Sequence, residues 1–142
     1  MVWFVYENLA TDAQGGNAGG IAAATAAQVN LSAVIGTPAT ANQPIYFAVD
    51  ENVDPSAVVG YFVGINRVLP QSRVGVYGDG TILNFLGGVG LANWFWQSSS
   101  SSYPGNATTI PAAHIQQLVS APLPGTDGDQ LLQGDIGQHP RP

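Results

Sequence analysis

The sequence predicts an α/β fold in which a parallel sheet is covered by helices, and three observations carry that prediction. Pro44-Ile45-Tyr46-Phe47-Ala48-Val49 is an apolar run without alternation, the pattern of a strand covered on both faces. Short apolar or aromatic runs alternate along the chain with stretches of helical periodicity, the order expected of βαβ units. Glycine, proline and aspartate stand at the joints between them, where a chain needs turns and caps.

The elements follow in order. Val2 to Tyr6 is a short strand ending at Glu7, and a Gly-rich loop, Gln14 to Asn17, leads to an Ala-rich helix from about Ala18 to Ile35. Gly36 and Pro38 stop that helix. The apolar run above forms the next strand and meets two acids, Asp50 and Glu51. Acids at the carboxyl end of a buried strand stand where α/β barrels build active sites. The plainer reading is a strand running into a solvated turn at Asn52 to Pro55. Asp54-Pro55 then supplies an N-cap and a proline at the first helical position. Val58, Phe62, Ile65 and Leu69 recur at helical spacing.

Arg73 to Tyr77 reads as a strand, and Asp79 caps a helix through Thr81 to Leu86 that stops at Gly87-Gly88. Asn93 to Gln97 is a strand, Ser98 to Ser102 a flexible low-complexity loop, Ala113 to Val119 a strand and Gln130 to Leu132 a weaker element. These strands fit either a small doubly wound sheet or a portion of a (β/α)₈ barrel.

Composition sets limits. At 142 residues and 45% hydrophobic content, one domain spanning residues 1–142 is expected. Nine acids against three bases give a net charge of −6; Arg67, Arg73 and Arg141 form no cluster, and nucleic acid is excluded as a partner. No cysteine is present, so disulfides and thiolate metal sites are ruled out. His114 and His139 are isolated, so no metal site is expected. No GxGxxG or GxxxxGK[ST] follows a strand, which argues against nucleotide binding and leaves no expected cofactor. No signal peptide is visible, and Ala18 to Gly36 is too interrupted by Gly, Thr, Gln, Asn and Ser to be expected as a membrane span.

Val5-Tyr6-Glu7, Pro44 to Asp50 (PIYFAVD), Val74 to Gly78 (VGVYG), Trp94 to Gln97 (WFWQ), Gln116-Gln117, Asp127-Gly128-Asp129 and Gly134 to Gln138 (GDIGQ) occur in one order over nearly the whole chain. This series resembles the glycoside-hydrolase-like domain family formerly termed domain of unknown function 1906, a distant relative of the family-25 muramidases. The resemblance implies an incomplete (β/α)₈ TIM-like barrel, strands three to eight, with parallel strands and outer helices. Glu7 would close the third strand, Asp50 the fourth, Tyr77 the fifth and Gln97 the sixth.

The muramidase relatives carry a D-x-E at the end of the fourth strand. Here Ala48 stands at the Asp position and Asp50 at the Glu position, and Glu51 should point to the opposite side. The first two strands, with an essential Asp, have no counterpart. A fragment, a partner chain completing the barrel, or a reduced domain in a larger assembly would each account for that, and Met1 favours a genuine gene product.

The resemblance therefore implies a domain that binds cell-wall glycan (peptidoglycan) or serves as a structural component, extracellular or in a phage tail or virion. The alternative is an active muramidase-type hydrolase with Asp50 as general acid and Glu7 as second carboxylate. Tyr77, Tyr46, Gln97, Trp96, Gln116, Asp127 and Asp129 are the expected substrate contacts. Of Trp94, Trp96 and Tyr46, two are expected to pack against helices instead.

Overall fold

A computed structural model describes residues 3–36, 42–119 and 128–137. Six strands form one sheet in chain order: β1 (Val5–Tyr6), β2 (Ile45–Ala48), β3 (Val74–Gly78), β4 (Trp94–Gln97), β5 (Ile115–Gln117) and β6 (Asp129–Leu131). β1 to β5 pair in parallel, and β6 runs antiparallel to β5.

That last pairing corrects the expectation of parallel strands throughout. A parallel return needs a crossover of roughly a dozen or more residues, usually a helix. Only the eleven residues 118–128 separate β5 from β6, short of that span.

The register decides which side chains share a face. Val5, Tyr46, Gly75 and Trp94 form one row, and Ala48, Tyr77, Trp96 and Ile115 the next. Phe47, Val49, Val76 and Phe95 face the other way, into the main core with Ala23, Ala24, Phe62 and Leu83. The sheet is strongly curled. Trp3, just before β1, meets Trp96 of β4 edge to face with ring centroids 6.2 Å apart. Three strand spacings in a flat sheet would separate them by about 14 Å. Tyr46, Ile115 and Ile136, with Trp3, Trp94 and Trp96 against them, fill the concave side as a second small core.

Among the described residues, three α-helices cover the opposite face. α1 (Gly16–Ile35) begins slightly earlier than expected and ends at Gly36, whose φ of 81° favours glycine. A 3₁₀ turn, Pro55–Val58, leads into α2 (Val59–Asn66), with the Asp54 side chain accepting from the Ser56 N–H. Val58, Phe62, Ile65 and Leu69 are all buried. α3 (Gly80–Gly88) is capped by Asp79, whose side chain accepts from the Thr81 and Ile82 N–H groups.

By length and composition α1 is apolar enough to cross a membrane, but Gly20, Ala23, Ala24, Ala27 and Leu31 are buried within the fold. Its contact with α2 is set by glycine. A Cβ on Gly20 would stand 1.9 Å from the Tyr61 carbonyl oxygen, and one on Gly64 would stand 2.2 Å from that of Asn17. The two backbones can approach this closely only because neither position has a side chain.

Gly20→Ala, which improves local helix propensity, should therefore destabilise the protein by about 3 kcal/mol or more through overpacking. Urea unfolding of that variant beside Gly88→Ala, where a Cβ would meet open space, is the check, and equal stability of Gly20→Ala and the parent would contradict this packing.

Candidate functional site

The carboxyl ends of the parallel strands open into a cleft of about 330 Å³ lined by Val5, Glu7, Ala48, Asp50, Tyr77, Trp96, Gln117 and Asp129. Period-two geometry explains the set. Glu7 lies two residues beyond Val5, and Asp50 two beyond Ala48, so both carboxylates project to the concave side from neighbouring strands. The curl then brings β4, β5 and β6 round to face them.

Three of these side chains are carboxylates, and none of the lining residues is a base. Partial burial pushes the Glu7 carboxyl above its ordinary range, and the nearby charges of Asp50 and Asp12 push it the same way. Glu51 points elsewhere, accepting from the Gln14 amide at 3.0 Å through both oxygens.

The opposite wall is a braced aromatic and amide network. Trp96 Nε1 donates to Asp129 Oδ1 at 2.9 Å, and the Tyr77 ring stands edge-on to Trp96 at 5.0 Å. The Tyr77 hydroxyl donates to Gln117 Oε1 at 3.0 Å. The same oxygen accepts from the Ser99 backbone N–H at 3.1 Å and the Ser99 hydroxyl at 3.2 Å. Among the described residues, no group of three or more His, Asp or Glu side chains is placed to hold a metal ion.

Of the residues expected to contact substrate, Tyr77, Trp96 and Asp129 line the cleft beside Glu7 and Asp50; Asp127 lies outside the described residues. Three others do not line it. Tyr46 is fully buried beneath the cleft, its hydroxyl donating to the Ile136 carbonyl at 2.8 Å. Gln97 is 1% exposed and braces the following loop, donating to Thr108 O at 2.9 Å and accepting from the Ile110 N–H at 2.8 Å. Gln116 pairs with Gln97 across the strands and donates to backbone carbonyls, including Gln117 O at 2.9 Å.

The reason is parity. Tyr77 pairs with Trp96, so Gln97 belongs to the helix-facing row although it ends its strand. The same parity makes Gln117 the cleft residue of β5. Its neighbour Gln116 is the position expected from the sequence. Pairing Trp96 with Ile115 is the signal that would have found it.

Two further expectations change. Trp94, Trp96 and Tyr46 all belong to the concave-side cluster, so none packs on the helical face. The serine loop is tied down: Ser98 is 1% exposed, and Asn106 Nδ2 donates to Ser98 Oγ at 2.8 Å and Ser100 O at 3.0 Å.

A concave sheet end with paired acids and an aromatic wall is the form of a glycoside-hydrolase-like domain. Residues 1–132 match the family described as Rv2525c-like, glycoside hydrolase-like domain, and the chain belongs to that family. It is 31% identical over 116 residues to Rv2525c of Mycobacterium tuberculosis, a protein named as a candidate peptidoglycan hydrolase. That alignment covers 76% of this chain and 47% of the relative, so the chain spans about half the relative's length.

The crystal structure of the Tat-secreted M. tuberculosis Rv2525c with L-tartrate superposes with a TM-score of 0.76 at 29% identity, covering 94% of this chain and 67% of that one. A second crystal form of that protein, with HEPES, gives 0.75 with the same coverage.

His114 supports the wall from outside the cleft. Its Nδ1 accepts from the Phe95 N–H at 3.1 Å, so the ring is neutral when the bond is made. Burial lowers its pKa, with Asp135 opposing in part. Below the ordinary histidine value of about 6.5, the unfolded chain binds the proton before the folded one does. Stability is therefore fully present above that value and falls as pH drops toward the folded pKa. Urea midpoints between pH 7.5 and 5.5 should fall more steeply for the parent than for His114→Gln; identical slopes would contradict this reading.

Proposed function

We propose that this domain binds cell-wall glycan in the cleft at the carboxyl ends of its strands. The observation that carries this reading is the chemistry of the lining: Glu7, Asp50 and Asp129 present acceptors for hydroxyl groups, next to the aromatic surface of Trp96 and Tyr77. No base lies among those residues, which favours a neutral polyhydroxylated ligand over an anionic one. The relative named as a candidate peptidoglycan hydrolase directs the choice of polymer to peptidoglycan. We place the domain outside the cytoplasm, in keeping with its Tat-secreted neighbour; a virion tail would deliver the same cleft to the same polymer. We read the curled sheet as strands three to eight of a (β/α)₈ arrangement whose remaining strands a partner segment would supply.

Hydrolysis is the second reading, and the raised Glu7 pKa beside Asp50 favours it. In that case Glu7 would donate the proton to the leaving glycosidic oxygen, exchanging the Asp50 role expected from the resemblance. Asp50 would stabilise the positive charge developing on the sugar.

Both readings are tested by co-sedimentation with purified peptidoglycan and by release of reducing ends. The parent should sediment with the polymer, and Glu7→Gln and Asp50→Asn should retain that binding to within a few-fold. If the domain is also a hydrolase, each substitution should cut release at least about 100-fold. A folded parent that stays in the supernatant would contradict the binding reading, and unchanged release in both variants would contradict the catalytic one.

A further inference from the structure

Gln117 has an orientation that the surrounding atoms dictate. A backbone N–H can only donate, so the amide atom 3.1 Å from the Ser99 nitrogen must be the oxygen. That oxygen also accepts from the Ser99 and Tyr77 hydroxyls. Three bonds thus hold Oε1 on the wall side and leave Nε2 as the other end of the carboxamide. Among the described residues Nε2 has no hydrogen-bond partner, and it is not sealed from solvent.

The other polar side chains of the cleft cannot play the same part. Trp96 Nε1 is committed to Asp129 and the Tyr77 hydroxyl to Gln117. Glu7, Asp50 and Asp129 are carboxylates. A ligand therefore meets a wall of acceptors with one uncommitted amide donor at a fixed place.

We propose that Gln117 is a specificity determinant that donates from Nε2 to the carbonyl oxygen of an acetamido group, selecting N-acetylated over de-N-acetylated amino sugars. This rests on the glycan-binding reading above. An amide carbonyl is a strong acceptor with no proton to give, so it matches the donor, while sugar hydroxyls are served by the carboxylates. A free amino sugar is an ammonium at neutral pH. The carboxylates would attract it, but at the Gln117 position it would set donor against donor, and the locked oxygen cannot turn to receive it.

Calorimetric titration with tetra-N-acetylchitotetraose and with fully de-acetylated chitotetraose tests the proposal. Gln117→Glu keeps an oxygen for Ser99 and Tyr77 and replaces the donor with a second acceptor. The ratio of acetylated to de-acetylated affinity should fall at least tenfold in that variant. Gln117→Leu removes the donor without adding charge beside Asp129, so it serves if the Glu variant fails to fold. It should weaken the acetylated ligand about five- to tenfold without weakening the de-acetylated one. Near-ultraviolet circular dichroism of the tryptophans verifies the fold of each. A parent that binds the acetylated probe, with a ratio unchanged in a folded variant, overturns the Gln117 proposal alone. A folded parent that binds neither sugar overturns the glycan reading together with it.

Discussion

The curl of the sheet around Trp96 is the constraint on which the rest depends. Three aromatic rings stand edge-on to that one indole: Trp3 from the chain entering β1, Tyr46 from β2 and Tyr77 from β3. Edge-to-face pairs of this kind contribute about 0.5–1.5 kcal/mol each beyond their buried area. They also set a shape, because they draw β1 toward β4 across the concave side. Without that closure Glu7 and Asp50 would lie on one side of an open surface, remote from Gln117 and Asp129. The bond from Trp96 Nε1 to Asp129 extends the brace to the antiparallel β6.

The helical face supports the curl from behind. Phe47, Val49, Val76 and Phe95 present a continuous apolar surface, and α1 and α2 reach close contact through Gly20 and Gly64. The loop after β4 is held by Gln97 and Asn106, and it places Ser99 against Gln117. Residues that never touch the cleft thus fix the orientation of one that lines it.

Much of this was legible in the sequence because local chemistry specifies it. Asp54 and Asp79 stand before helices and cap them as their side chains dictate, and the spacing of Val58, Phe62, Ile65 and Leu69 marks a buried face. The apolar run ending at Asp50 marks a strand covered on both sides. What was not legible depends on pairing between strands. Gln97 and Trp96 are adjacent, and only the register with Tyr77 says which enters the cleft; the same holds for Gln116 and Gln117. Tyr46 looks like a sugar-stacking residue until the curl closes over it. The antiparallel β6 follows a connection of only eleven residues, 118–128, a signal weaker than a family pattern of parallel strands.

Curvature and register bring Glu7 and Asp50 into one cleft, where their charges interact. The most direct measurement is a carboxyl-detected NMR titration of Glu7 in the parent and in Asp50→Asn. The Glu7 pKa should lie above the ordinary glutamate value of about 4.3 and move downward when the Asp50 charge is removed. A Glu7 that titrates at the ordinary value and ignores the substitution would contradict that interaction.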